Sequence, residues 1–308
     1  MNIVFMGTPD FAVQSLEILL NNKYTISAVV TAPDKPRGRG QQVSFTPVKK
    51  FALQYALPVL QPESLKDSTF ITQLQLLQPD LFVIVAFRIL PKEVFTIPKL
   101  GAFNLHASLL PKYRGAAPIN WAIINGETES GVTSFLLREK VDTGNIILQA
   151  HVAIREEMTA GDLHDVLAEV GAEIVLQTVR LIEIGKAVPR TQDDSIATPA
   201  PKLFKENTKI DWNRSTSEVH NFIRGLSPHP AAWTTHKGKL MKIFRSQKSG
   251  IGVQKLQCGE VSIADRKIFV GTSDGAIEIL EIQQEGKKRI AAEEFLRGFT
   301  FEANDLFE

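Results

Sequence analysis

Cysteine is almost absent from this 308-residue chain, where Cys258 stands alone. A single thiol excludes an intrachain disulfide and fits a reducing compartment. Long hydrophobic runs are absent too: no apolar stretch approaches the roughly 18–20 residues that a membrane span requires. The apolar opening Asn2-Ile3-Val4-Phe5-Met6 stops at Gly7-Thr8-Pro9 and has no basic lead, so no targeting signal is expected. Cytoplasm is therefore the expected location. There is no excess of one charge either, since 35 Lys and Arg against 34 Asp and Glu leave +1. Whole-chain electrostatics thus predict neither a nucleic-acid binder nor a membrane binder, and any basic surface must be local. No His, Cys and Asp grouping has metal-ligand spacing, so no metal is expected. Gly7-Thr8-Pro9-Asp10 is not GxGxxG, and Pro9 removes an N–H from the turn, which argues against a dinucleotide site.

What is present suits a globular protein: 44% hydrophobic and 22% charged residues leave ample material for a core. From residue 1 to about 188, strand-like and helix-like segments alternate. Ile3–Met6, Ile26–Thr31, Leu81–Ala86 and Ala102–His106 read as strands, and Phe11–Leu20 reads as a helix. The run LFVIVA is almost continuously apolar, the mark of a strand covered on both faces in a parallel sheet. Strands are also expected near Val132–Leu137 and Ile146–Ile154, and helices near Ile119–Ile124 and over Gly161–Ile184, the last with Thr159 and Asp162 at its start. The alternation predicts an α/β fold with an open, mostly parallel, Rossmann-like sheet. From Pro189 to about Asn207 the pattern dissolves into small polar residues and prolines. Beyond it, Ser215 and Glu218 form a capping-box pattern, followed by short alternating segments that suggest a small β-barrel or sandwich, and the fold expected there is a smaller C-terminal, OB-like β-barrel. The expected organisation is a catalytic domain over 1–189, a linker over 190–206 and a barrel over 207–308.

The most informative stretch is FNLHASLLPKYRGAAPIN, Phe103 to Asn120. Asn104 and His106 lie two apart on a strand and so share a face. At the carboxyl end of a strand in an open α/β sheet, that face meets the crevice where ligands bind. A carboxamide can donate to an oxygen that becomes negative in a tetrahedral intermediate, worth roughly 3–4 kcal/mol. An imidazole, with an unperturbed pKa near ~6.5, can handle a proton at neutral pH. A carboxylate would be needed to orient it, and Asp142, in the turn Lys140-Val141-Asp142-Thr143-Gly144-Asn145, is the candidate. Spacing alone does not separate this reading from a structural hydrogen-bonded pair.

Three motifs then stand together: Asn104-Leu105-His106, Ser108-Leu109-Leu110-Pro111 and Asp142-Thr143-Gly144. This set resembles the folate-dependent formyltransferase family, and the extended run SLLPKYRGAAPI resembles its branch that formylates methionyl-tRNA. The similarity covers nearly the whole chain. The resemblance implies that Asn104 stabilises an oxyanion, His106 handles a proton beside it, and Asp142 orients His106 and helps move protons. It implies 10-formyltetrahydrofolate as co-substrate, bound by Ser108, Leu109, Leu110 and Pro111 and by the loop Phe87, Arg88 and Ile89. That loop departs from the family pattern: Ala86-Phe87-Arg88-Ile89-Leu90-Pro91 is one residue short and has arginine where glycine is usual, so a different path is expected. Before Asp142 the family commonly has a glycine, where this chain reads Glu139-Lys140-Val141.

Residues 34–50 carry Lys35, Arg37, Arg39, Lys49 and Lys50 against Asp34, a net of +4. Charge alone fits a solvated loop, but the family uses an equivalent loop on the acceptor stem of initiator tRNA, which makes Arg37 and Arg39 candidate tRNA contacts. A second local patch holds Lys237, Lys239 and Lys242, with Arg245 and Lys248 beyond and Arg214 and Arg224 as possible additions. The activity expected is therefore formyl transfer from 10-formyltetrahydrofolate to the methionine of initiator Met-tRNA, by a monomer. A formyltransferase acting on a small amine, such as a purine-pathway ribonucleotide or a nucleotide amino sugar, shares the same three site residues. It would have no use for either basic patch. A non-catalytic RNA-binding protein would not need Asn104, His106 and Asp142 together.

Overall fold

The computed structural model describes residues 1–37, 42–249 and 256–308, with the side chains of Pro36, Arg37, Gln42 and Val43 left aside. The chain forms two compact units. The first comprises residues 1–115, 130–152 and 164–199; the second comprises residues 116–129, 153–163 and 200–308.

The first unit is built on a seven-stranded sheet: β1 (Asn2–Gly7), β2 (Thr25–Val30), β3 (Val59–Leu60), β4 (Leu81–Val85), β5 (Ala102–His106), β6 (Glu129–Leu136) and β7 (Ile146–Ala153), in the order β7-β6-β5-β4-β1-β2-β3. Strands β1 to β5 are parallel, and β6 runs antiparallel to β5. This is the mostly parallel, Rossmann-like sheet that the apolar runs predict. All five residues of β4 are buried, as a strand covered on both faces must be. Phe5, Phe82 and Phe103 are fully buried, each contributing on the order of 2–3 kcal/mol. On one face, Val4, Met6, Ala28, Val30, Phe82 and Ile84 pack with Phe70 and Leu74, which come from α3 (Ser68–Leu76).

Two helices escape the periodicity of the sequence. Helix α2 (Pro47–Gln54) is capped by Thr46, whose hydroxyl accepts from the Lys49 N–H, and α3 is capped by Asp67. Each buries only two residues against the sheet, too narrow a stripe to announce itself. Helix α1 (Val13–Asn21) follows a single 3₁₀ turn at Asp10–Ala12, and α4 (Lys92–Phe95) is a single turn that starts after Pro91. Helix α6 (Ala160–Glu183) has the expected start, where the Asp162 carboxylate accepts from the Thr159 N–H and hydroxyl while Thr159 Oγ1 accepts from the Asp162 N–H. It ends before Gly185, which has φ +66°. Residues 35–37 and 42–44 pair as a short antiparallel hairpin.

The second unit contains a six-stranded antiparallel sheet: β8 (Ala232–His236), β9 (Lys239–Lys248), β10 (Val261–Ala264), β11 (Lys267–Gly271), β12 (Ala276–Gln284) and β13 (Ile290–Ala291). Helix α7 (Thr216–Leu226) begins with the reciprocal Ser215–Glu218 capping box. Its buried Val219, Ile223 and Leu226 join Met241, Ile243, Ile268 and Ile279 in one core. Helix α5 (Pro118–Ile124) lies against α7 at Gly225, where a Cβ would stand 2.6 Å from Ile124 Cγ1. Trp212 belongs to this core and donates its indole N–H to Thr234.

Candidate active site

Strand β5 lies between β4 and β6, with Asn104 beside Ile84 on one side and Phe135 on the other. The alternation of a β-strand sends Phe103 and Leu105 into one buried layer and leaves Asn104 and His106 together on the other face. His106 is the last residue of the strand, at the carboxyl edge of the parallel sheet. Asn104 is half-buried, and its carboxamide makes no hydrogen bond among the described residues. A free NH2 donor is what an incoming oxygen would need.

His106 is buried, and its Nε2 lies 2.8 Å from the Tyr113 carbonyl oxygen. A carbonyl only accepts, so Nε2 carries the hydrogen and a neutral ring keeps its lone pair on Nδ1. That nitrogen faces Asp142 Oδ2 at 3.9 Å, too far for a hydrogen bond and close enough for a charge pair. A protonated ring would direct its Nδ1–H at the carboxylate. Two unit charges at this separation attract by about 4 kcal/mol at an effective dielectric near ~20, before desolvation. The ring is thus oriented by a backbone carbonyl, while Asp142 acts on it through charge.

Asp142 is held as firmly as His106. Its Oδ2 accepts from the Gly115 N–H at 2.9 Å. Its backbone sits at φ +54°, a left-handed conformation that Asp tolerates better than most residues. The segment 113–115 therefore touches both partners: the Tyr113 carbonyl takes the imidazole N–H, and two residues later an N–H takes the carboxylate. No sequence pattern foretells either contact, because both are made by the backbone.

The residues expected at the folate site divide into two kinds. Ser108 is fully buried and donates its hydroxyl to the Lys112 carbonyl at 2.7 Å, while its own carbonyl accepts from Thr133 Oγ1. Leu110 is buried against Phe135 and Ile146. These two side chains shape the turn from within, and Leu109 and Pro111 are only half-buried. In the other loop the left-handed residue is Ala86, at φ +48°, and Arg88 lies outside that region. Arg88 anchors the loop instead, donating to the Pro62 carbonyl at 2.7 Å and the Glu63 carbonyl at 3.0 Å. Burial holds its guanidinium below the usual arginine range, and the Glu63 charge opposes that. Phe87 is half-buried against the sheet's core and Ile89 is 72% exposed.

The basic residues fare unevenly. The backbone of Arg37 ends the short strand at 35–37, and Arg39 lies outside the described residues. Lys49 is spent at the base of the hairpin, with Nζ 2.5 Å from Asp34 Oδ2 and 2.6 Å from Gln61 Oε1. The Lys49 ammonium, then the Gln61 amide, hold the Asp34 carboxyl below the usual carboxylate range. In the second unit, Lys239 and Arg245 are exposed, whereas Lys242 donates to the Pro230 carbonyl. Lys237 pairs with Glu302 and Asp305, and Lys248 with Glu156. Arg224 does not belong to that surface: it is buried and donates to the carbonyls of Met158 and Arg155. Arg214 is flanked by Asp211 and Glu218. The sequence's local basic patch is therefore thinner than its count of charges.

Residues 1–179 match the family model described as formyl transferase, and residues 202–300 match that of the formyl transferase C-terminal domain. A methionyl-tRNA formyltransferase from Chlorobium phaeovibrioides is 50% identical over 313 residues, covering 100% of this chain and 98% of the relative. One from Bacteroides fragilis is 46% identical over 310 residues, covering 97% and 95%. The chain belongs to the methionyl-tRNA formyltransferase family. Among solved structures, HypX from Aquifex aeolicus in complex with tetrahydrofolic acid superposes on this formyltransferase with a TM-score of 0.67 at 20% identity. That match covers 99% of this chain and 50% of HypX, and at such identity it speaks for the fold alone. No helix among the described residues of this formyltransferase is long and apolar enough to cross a membrane, and no group of metal-ligand type is found among them.

Proposed function

We propose that this chain transfers the formyl group of 10-formyltetrahydrofolate to the amino group of methionine on initiator Met-tRNA, with Asn104, His106 and Asp142 as its catalytic residues. The supporting observation is the disposition of the three groups. A carboxamide and an imidazole share one face of β5, and a carboxylate held by Gly115 stands 3.9 Å from the imidazole. Relatives named for Met-tRNA formylation match over nearly the full length, which favours a tRNA-bound amine over a small one.

In the reaction the amine nitrogen attacks the formyl carbon and the C–O double bond opens to a tetrahedral oxyanion. The Asn104 NH2 donates to that oxygen as its charge develops, the differential interaction that lowers a barrier. The C–N10 bond then breaks, the carbonyl re-forms, and N10 departs bearing a proton. The proton lost by the amine is the one N10 gains, and His106 relays it, with Nδ1 as the nitrogen free to accept it. Asp142 supports the ring while it carries positive charge. The products are N-formylmethionyl-tRNA and tetrahydrofolate.

In this reading residues 1–189 hold the folate and the reacting groups, 190–206 connect, and 207–308 assist with tRNA. Lys237 and Lys239 are the exposed candidates there, beside Lys242, and Arg37 and Arg39 of the basic stretch 34–50 are the candidates in the first domain. Ser108 and Leu110 shape the folate turn, Leu109, Pro111, Phe87 and Ile89 offer apolar surface, and Arg88 fixes the loop. The enzyme acts as a monomer in the cytoplasm. The test is to incubate the protein with 10-formyltetrahydrofolate and either initiator or elongator Met-tRNA, following N-formylmethionine. Formylation of the initiator is expected; equal inactivity on both, with turnover of a small amine, would overturn the assignment.

A further inference from the structure

The Asp142 turn is gripped by a residue that no catalytic motif contains. Arg190 exchanges backbone hydrogen bonds of 2.8 Å with Ile146 at the start of β7, which brings Gln192 against the turn. The Gln192 side chain is 9% exposed. Its amide nitrogen donates to the Asp142 carbonyl at 2.9 Å and to the Gly144 carbonyl at 2.8 Å. Its amide oxygen accepts from Arg114 Nε at 3.1 Å and from an Arg114 terminal nitrogen at 2.7 Å. That same guanidinium nitrogen lies 2.6 Å from Asp194 Oδ1. Two carbonyls can only accept and a guanidinium can only donate, so the amide has one satisfying orientation and uses all four of its positions.

Arg114 also sits between the two residues that hold the reacting pair, Tyr113 on His106 and Gly115 on Asp142. The contacts close a ring: the 113–115 segment fixes imidazole and carboxylate from one side, and Arg114 and Gln192 fix the carboxylate's backbone from the other. We infer that Gln192 is a positioning residue for formyl transfer, setting through Arg114 and the two turn carbonyls where the Asp142 carboxylate stands relative to His106. This rests on the catalytic reading of Asp142 given above. Glutamate in its place would keep the acceptor for Arg114 but set an oxygen against two carbonyl oxygens. Alanine would leave both carbonyls without that donor and the guanidinium with only Asp194.

The experiment is a double-mutant cycle in the full chain, with kcat and KM measured for 10-formyltetrahydrofolate and for initiator Met-tRNA, and thermal denaturation followed alongside. Gln192→Ala is expected to lower kcat by on the order of 10- to 100-fold, the effect of an ångström-scale misplacement. Both KM values should stay within about threefold, since Gln192 touches neither substrate. Gln192→Glu, with the shape kept, is expected to lose a similar factor and covers the case in which the alanine variant fails to fold. In an Asp142→Asn background the same Gln192 substitutions should change kcat by less than about threefold, because the group they position is already disabled. If the Gln192 effect persists in full in that background, or falls on KM, or accompanies only a loss of folded protein, the positioning role is refuted. If Asp142→Asn alone retains wild-type kcat, it is the catalytic reading of Asp142 that fails.

Discussion

Gly144 offers the sharpest test of how the Asp142 turn is built. A Cβ added there would lie 1.5 Å from the Leu136 carbonyl oxygen and 2.8 Å from its carbon. Ordinary contact begins near 3.4 Å, so the turn would have to retreat from the end of β6 by about 2 Å. The obstacle is backbone, and no rotamer change relieves it. The retreat would pull on the Gly144 carbonyl that Gln192 holds at 2.8 Å, and on Asp142 two residues earlier. The carboxylate would leave its position 3.9 Å from the imidazole, and misplacement by about an ångström is already enough for a loss on the order of 10²-fold. Gly144→Ala should therefore lower kcat for Met-tRNA formylation by about 100-fold or more. The fold, losing about 1–3 kcal/mol to overpacking, should survive. Rapid-quench measurement of formyl transfer under saturating substrates, with circular dichroism of the same sample, separates the two effects. A folded Gly144→Ala protein with wild-type kcat would refute the claim that this turn's position controls the reaction.

Other substitutions test the remaining parts. Asn104→Ala removes one donor to the developing oxyanion and should lower kcat by about 10²–10³-fold with substrate binding retained; a loss confined to KM would contradict that role. Replacing Arg37 and Arg39 together by alanine should raise KM for tRNA, leave folate KM unchanged, and reduce the salt dependence of tRNA binding by about one to two units of log–log slope. Identical salt titrations for the two proteins would remove the hairpin from the tRNA interface. In the second unit, the Asp305 carboxyl is pulled down to about 2, first by its hydrogen bond from Lys237, then by the Glu302 N–H and by His236. A value below that of the unfolded chain means that its stabilisation is complete above about pH 4 and fades as pH falls toward 2. Denaturation of Asp305→Asn should show a weaker pH dependence across that window, and parallel profiles for the two proteins would count against the pairing.

The sequence by itself determined what short-range periodicity can carry. LFVIVA announced a doubly covered strand because both faces of a parallel sheet are apolar, and the two-residue period of a strand placed Asn104 and His106 on one face. Ser215 with Glu218, and Thr159 with Asp162, announced two helix starts because a cap is a contact over three residues. Helices α2 and α3 were hidden, since two buried residues apiece leave no stripe to read.

Only the tertiary structure decided how the site is held. The Tyr113 carbonyl on His106 and the Gly115 N–H on Asp142 belong to the backbone, whose donors and acceptors every residue possesses. Gln192 lies in a run of small polar residues that resembles a linker, and it matters only because the Arg190–Ile146 bridge carries it to a turn 50 positions away in sequence. Charge was misleading for the same reason: Lys49, Lys237 and Arg224 count as free cations in the sequence, yet the fold supplies each with partners. Local pattern is a property of neighbours along the chain, whereas a hydrogen bond or ion pair between distant residues exists only once folding has closed the distance.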